Sequence, residues 1–189
     1  MVVVIGGLIL FTSGERSPET KGVIDSGVKE KIYFKEAVGK KAPDFELEGL
    51  GEKTVKLSDY LGKNVVLFFN EGSLCYPACC DQIAELGNDS RFDTESVVAF
   101  SVVVDNRGQW LEIVSKTPNM TKAKILFDTA RSVSKAYDVL YLDSPMHRGS
   151  FPGHTYFIID KEGTIRFTLD DPNMAIANDK LIKEIEKLK

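Results

Sequence analysis

The stretch "NVVLFFNEGSLCYPACCDQIAEL", residues 64–86, decides the fold of this chain. It opens with a continuous β-branched and aromatic run, residues 64–70, which predicts a central strand buried on both faces. Further along, Ile83 and Leu86 share one helical face, and Gly87 is predicted to cap the end of that helix. Between the two elements lie all the cysteines of the chain: Cys75, Cys79 and Cys80.

The flanking sequence alternates strand and helix patterns. Upstream, residues 42–63 contain short alternating segments and glycine turns, which predict a small hairpin followed by a helical turn. Downstream, the patterns predict strand 96–105, helix 108–116, strand 123–128, helix 130–140, hairpin 153–170 and helix 178–189. This order predicts an α/β fold, with a mixed central β-sheet and helices on both faces.

The amino-terminal part reads differently from the rest. Residues 1–12 are apolar but too short for a spanning helix of roughly 20 residues, so they resemble the end of a truncated anchor. An amino-terminal β-strand is the alternative for this run. Residues 13–40 are polar and unpatterned, as in a tether. We therefore expect an anchor remnant and linker over 1–40 and one domain over 41–189, membrane-tethered on the extracytoplasmic side or else cytoplasmic.

Composition narrows the possible functions. The 189 residues suffice for one well-buried domain. With 24 Lys and Arg against 28 Asp and Glu, the net charge is -4, so nucleic acid is not an expected partner. The only histidines are His147, in a predicted loop and without an assigned role, and His154. A multi-histidine zinc site is therefore excluded, and any metal would need the cysteines.

The cysteine cluster predicts a chemical role. Cysteines this close together cannot join distant parts of a fold, which leaves a redox centre, a soft-metal site or chance burial. Cys79 is predicted in the first helical turn, where free N–H groups and the helix dipole stabilise a thiolate, the attacking form of cysteine. Cys75, four residues earlier, lies within disulfide reach. Cys80 is expected to be a packed or accessory thiol.

Three further segments carry a family resemblance: "GKKAPDFEL", "FD…VSKAYDVL" and "FIIDKEGTIRF". With the strand and the cysteine cluster, they make the chain from about Lys41 to Lys189 resemble the thioredoxin-fold redoxins, specifically the AhpC/TSA (peroxiredoxin) group. The resemblance implies a thioredoxin-like fold and an antioxidant oxidoreductase without a cofactor. It also implies a peroxide or disulfide substrate and a thiol reductant such as a thioredoxin-like protein.

The peroxiredoxin motif, Pro-x-x-x-Thr-x-x-Cys with Glu or Gln three positions later, can be laid onto this sequence residue by residue. Cys79 then takes the peroxidatic place and Gln82 the Glu/Gln place. Gly72 stands in place of the Pro, Tyr76 in place of the Thr, and His154 in place of a later Arg. The resemblance thus leaves a tyrosine hydroxyl and a protonated histidine to replace the usual peroxide-orienting groups.

Two other thioredoxin-fold groups resemble the site. Sco-type copper-delivery proteins share a Cys-x-x-x-Cys motif and a later His, which would make Cys75, Cys79 and His154 ligands for Cu(I). TlpA-like thiol-disulfide reductases place a proline where this chain has His154. All three resemblances put residue 154 beside the cysteines.

The favoured hypothesis is an enzyme that reduces peroxides ahead of disulfides. Cys79 is its nucleophile, Cys75 resolves the oxidised thiol, and His154 stabilises the thiolate together with the helix N-terminus. Gln82 and Tyr76 are expected to shape the pocket. The alternative is a copper chaperone that uses Cys75, Cys79 and His154.

Overall fold

Seven strands form one mixed sheet in the computed structural model, which describes residues 27–28, 30–51 and 53–188. The strands are β1 (Glu46–Gly49), β2 (Thr54–Lys56), β3 (Asn64–Phe69), β4 (Val97–Val103), β5 (Ile125–Phe127), β6 (Thr155–Ile159) and β7 (Ile165–Asp170). Their order is β2-β1-β5-β4-β3-β6-β7, with β3, β4 and β5 parallel and the other neighbours antiparallel. The central position predicted for β3 is confirmed.

Around the sheet, the described residues form four α-helices: α1 (Ala78–Asn88), α2 (Arg107–Lys116), α3 (Ser132–Ala136) and α4 (Asn178–Glu186). All six residues of β3 are buried, and alternate side chains enter two separate cores. Val66 and Phe68 belong to the core that contains the apolar sides of α1 and α4. Val65, Leu67 and Phe69 belong to the core that contains α3. The predicted α/β fold with helices on both faces is confirmed.

The predicted end of the first helix is wrong. The helix passes through Gly87 to Asn88, and the N–H of Asp89 donates to the carbonyl of Glu85 at 3.1 Å. Gly87 has a packing role instead, because an added Cβ would lie 2.8 Å from the backbone of Ala123. The glycine therefore permits a close approach of two backbones rather than a helix cap.

The packed domain begins earlier than the predicted boundary at residue 41. Ile32 is buried and its N–H donates to the carbonyl of Ala136 at 2.9 Å, while Ala37 is fully buried in the core around α3. The predicted anchor remnant, residues 1–12, lies outside the described residues, so the membrane tether stays a prediction. Within the described ranges, no helix is both long and apolar enough to cross a membrane.

Candidate active site

Two of the three cysteines meet at the carboxyl end of β3. Cys75 follows a 3₁₀ turn, Gly72–Leu74, and Cys79 is the second residue of α1, which starts directly after Pro77. The Cα atoms of Cys75 and Cys79 are 5.3 Å apart and their sulfurs are bonded in a disulfide. The N–H of Cys79 also donates to the carbonyl of Cys75 at 2.9 Å. The prediction that Cys79 occupies the first helical turn is confirmed.

A buried carboxylate fixes the turn before the cysteines. Asp105, which follows β4, accepts hydrogen bonds from the N–H of Ser73 at 2.8 Å, its hydroxyl at 3.0 Å and the Trp110 indole at 2.7 Å. The side-chain oxygen of Asn70 accepts a further bond from the N–H of Gly72 at 2.9 Å. These hydrogen bonds hold the turn before Cys75 against the residues that follow β3 and β4.

Gly72 stands where the peroxiredoxin motif has a proline, and the turn explains why. Its φ is +61°, in the left-handed region, whereas a proline ring holds φ near −65°. A Cβ at this position would also collide with the carboxylate of Asp105. The departure from the motif therefore reflects a differently built turn, in which glycine makes room for Asp105.

His154 lies beside the redox sulfurs, immediately before β6. Its Nδ1 is 3.8 Å from Sγ of Cys79 and its Nε2 is 2.7 Å from the Tyr156 hydroxyl. Burial lowers the pKa of His154 to about 4, although Asp171, the carbonyl of Ala175 and Asp170 oppose the shift. The imidazole is therefore neutral at neutral pH in the disulfide-bonded protein, and a protonated histidine beside a Cys79 thiolate stays a prediction for the reduced protein.

The Tyr156 hydroxyl is the hydrogen-bond partner of Nε2, the ring nitrogen of His154 that does not face the thiol. Burial, and next the charge of Asp171, raise the pKa of Tyr156 well above its usual value, so the hydroxyl keeps its proton. When this hydroxyl donates to Nε2 of His154, the ring proton is left on Nδ1, which faces Cys79. In that tautomer, His154 offers the sulfur of Cys79 a hydrogen-bond donor.

The oxidised protein is expected to lose stability between about pH 6.5 and about pH 4. An unfolded histidine has a pKa of about 6.5, so in this window the unfolded chain binds more protons than the folded protein, and acidification favours unfolding. The loss attributable to His154 is about 3 kcal/mol at the acidic end. Urea unfolding of wild type and His154→Gln at neutral and acidic pH measures it, because the variant should show the weaker pH dependence. An equal dependence in both proteins would contradict this assignment.

The other predicted site residues stand in different surroundings. Gln82 is buried, but its amide donates to the side-chain oxygen of Asn178 at 2.9 Å and accepts from the N–H of Ala177 at 2.7 Å, at the start of α4. Tyr76 is 80% exposed. Cys80 is buried among apolar side chains, and burial, followed by nearby carboxylates, raises the pKa of its thiol. Its surroundings agree with the expected packed thiol.

Two neighbours of the cysteine turn were not predicted. The thioether of Met174 lies 3.7 Å from Sγ of Cys75. Glu71 is fully buried, and its carboxylate accepts from the N–H of His147 at 2.8 Å and contacts Nδ1 of that residue at 2.9 Å. The loop that leads into His154 is thereby fastened to the turn before Cys75, which gives His147 a structural role.

The copper alternative requires two free thiolates and the imidazole to converge. Cys75 and Cys79 are bonded to each other here, and the described part of the chain contains no group of three or more His, Cys, Asp or Glu side chains that could hold a metal ion. For the reduced protein, the ligand set with His154 stays a prediction.

The chain is similar to proteins of one family. A model of the AhpC/TSA family matches residues 38–168. Peroxiredoxin Bcp of Bacillus subtilis (strain 168) is 32% identical over 130 residues, covering 68% of this chain and 81% of the relative. The chloroplastic 2-Cys peroxiredoxin BAS1 of Spinacia oleracea is 29% identical over 161 residues, covering 80% of this chain but only 59% of the relative. The chain thus spans about three fifths of the length of BAS1 from Spinacia oleracea and from Arabidopsis thaliana.

Solved structures show the same fold. The mitochondrial 2-Cys peroxiredoxin of Plasmodium falciparum superposes with a TM-score of 0.66 at 24% identity, covering 79% of this chain and 93% of that chain. AhpC of Enterococcus faecalis gives a TM-score of 0.69 at 20% identity, with 80% and 91% covered. The thioredoxin-like architecture predicted from the sequence is therefore confirmed.

Proposed function

The chain belongs to the AhpC/TSA family, and on this premise we propose that it is a thiol peroxidase that reduces a small peroxide at Cys79. The observation that carries the proposal is the disulfide of Cys75 with Cys79 at the amino end of α1, beside the neutral imidazole of His154. Both sulfurs are almost fully covered, which favours a small oxidant such as hydrogen peroxide over a bulky one.

Two features favour Cys79 as the attacking thiol. It lies in the first turn of an 11-residue helix, where backbone N–H groups and the helix dipole stabilise an anion. It also faces Nδ1 of His154, which can donate to a thiolate when that nitrogen carries the ring proton. Cys75, before the helix, lacks both supports among the described contacts and is assigned the resolving role.

The chemistry balances in two steps. The Cys79 thiolate attacks one peroxide oxygen, the O–O bond breaks, and the other oxygen leaves as water or an alcohol after taking a proton, which gives a sulfenic acid. The sulfur of Cys75 then attacks the sulfur of Cys79, the S–O bond breaks, and the Cys75 proton leaves with the hydroxyl as water. The product would be a disulfide between Cys75 and Cys79, a bond that their Cα separation of 5.3 Å permits.

A thiol reductant, such as a thioredoxin-like protein, would restore the dithiol by disulfide exchange. No bound cofactor is needed for either half of this cycle. Gln82 would support the site indirectly, because it anchors the start of α4 to α1. Tyr76, exposed next to Cys75, would lie on the surface that a reductant approaches.

Cys75→Ser separates the two steps. The variant is expected to oxidise once at Cys79 at nearly the wild-type rate, because the attacking thiol and its donors are untouched, and then to accumulate sulfenic acid. Stopped-flow mixing with hydrogen peroxide, followed by alkylation and mass spectrometry, identifies which thiol is consumed. Fully reduced, metal-free wild type is the control and should form the Cys75–Cys79 bond.

Loss of the first oxidation in Cys75→Ser would mean that Cys79 is not the attacking thiol. If wild-type Cys79 reacted no faster than an ordinary exposed thiol, the peroxidase proposal would be wrong. Disulfide-exchange assays and Cu(I) titration of the reduced protein would then test the two remaining candidates.

A further inference from the structure

The loop after β7, residues 171–176, contacts both sides of the redox site. The N–H of Asp171 donates to the carbonyl of His154 at 3.0 Å, and the thioether of Met174 reaches Sγ of Cys75 at 3.7 Å. A hydrogen bond with the backbone of Ala175 also favours the protonated form of the His154 ring. We call residues 171–176 the Met174 loop.

Met174 has an uncommon backbone conformation that the Met174 loop enforces. Its φ is +51°, a region that residues other than glycine, asparagine and aspartate seldom adopt. The Asp171 carboxylate accepts from the N–H groups of Asn173 at 3.0 Å and Ala175 at 3.1 Å, and the Asp171 carbonyl accepts from Met174 at 3.1 Å. A glycine would adopt this backbone conformation with less strain. The presence of methionine therefore indicates that its side chain has a role.

The contact with Cys75 supplies that role. A thioether sulfur is a weak hydrogen-bond acceptor, and a cysteine thiol is a weak donor. In the reduced protein the Cys75 thiol can donate to Met174, while Cys79 faces Nδ1 of His154. We propose that Met174 is a positioning residue that holds Cys75 as a protonated thiol next to Cys79, an inference that rests on the proposed peroxidase function.

This arrangement gives the two thiols different tasks. The Cys75 proton stays on the resolving sulfur while the Cys79 thiolate meets the peroxide. As the Cys75 sulfur attacks, that proton passes to the hydroxyl of the Cys79 sulfenic acid, the S–O bond breaks and water leaves, so the sulfur becomes a thiolate only while the S–S bond forms. Because the sulfur is already held beside its target, closure needs little further ordering.

Met174→Leu tests the proposal, since leucine keeps a similar apolar volume at the same backbone angle but has no acceptor. Disulfide closure after a single oxidation by hydrogen peroxide is expected to slow about tenfold, with a matching build-up of sulfenic acid. Brief alkylation of the reduced protein at neutral pH should also become less selective for Cys79 over Cys75. Ile176→Ala, in the same Met174 loop and half-exposed, is the matched control and should behave as wild type.

Closure and labelling selectivity in Met174→Leu within about twofold of wild type would overturn the proposal and leave Met174 as a packing residue. The labelling experiment uses no peroxide. A wild-type protein that reacts slowly with peroxide would therefore refute the proposed function, while the labelling ratio would still decide the role of Met174.

Discussion

Replacing Cys79 by serine is expected to lower the rate of peroxide reduction by on the order of a thousandfold or more, because a serine hydroxyl is not ionised at neutral pH. The supports around the position would be unchanged: the first turn of α1 and the imidazole of His154, whose Nδ1 lies 3.8 Å from Sγ of Cys79. Peroxide consumption with a saturating thiol reductant measures the effect.

The adjacent cysteine provides the matched control for this variant. Cys80 is buried in the core that contains the apolar side of α1, and burial raises the pKa of its thiol, which disfavours the reactive anion. Cys80→Ala should therefore keep its activity within about twofold of wild type. A loss of activity in Cys80→Ala together with full activity in Cys79→Ser would reverse the assignment of the nucleophile.

The second large effect concerns stability. Gly72→Ala is expected to lower the free energy of unfolding by about 3 kcal/mol, from left-handed strain together with disruption of the buried Asp105 hydrogen bonds. The new methyl group would displace the carboxylate that holds Ser73 and Trp110. Urea unfolding of the oxidised protein gives this free energy.

Gly62→Ala is the matched control, which separates backbone strain from the steric clash with Asp105. Gly62 also has a positive φ, +91°, but it is exposed and an added Cβ would meet no atom within 4 Å. This variant should therefore lose only the strain contribution, about 1 kcal/mol. Equal losses in the two variants would show that Asp105 adjusts to the methyl group without losing its bonds.

Local sequence patterns were sufficient to predict the frame of the site. The continuous apolar run of β3 and the spacing of Ile83 and Leu86 in α1 are periodic signals, and they place the cysteines at a strand-to-helix junction without knowledge of the remaining fold. The position of His154 came from family resemblance, because only the pairing of β6 with β3 brings it to the sulfurs.

The remaining features depend on contacts that no local pattern records. Met174 and Cys75 are 99 residues apart, and Glu71 and His147 are 76 residues apart, each joined through irregular loops. The low pKa of His154 in the disulfide form depends on complete burial against aromatic rings, which one residue in a sequence does not reveal.

The short span of the disulfide has a consequence for biosynthesis. Cys75 and Cys79 are only four residues apart. His154, in contrast, reaches them only when β6 pairs with β3, which places Thr155 opposite Phe69. A ribosome therefore releases both thiols long before the strand that brings the histidine. A crosslink that closes so small a loop barely restricts the rest of a growing chain. A nascent protein oxidised too early would still be free to arrange all its strands in the native order.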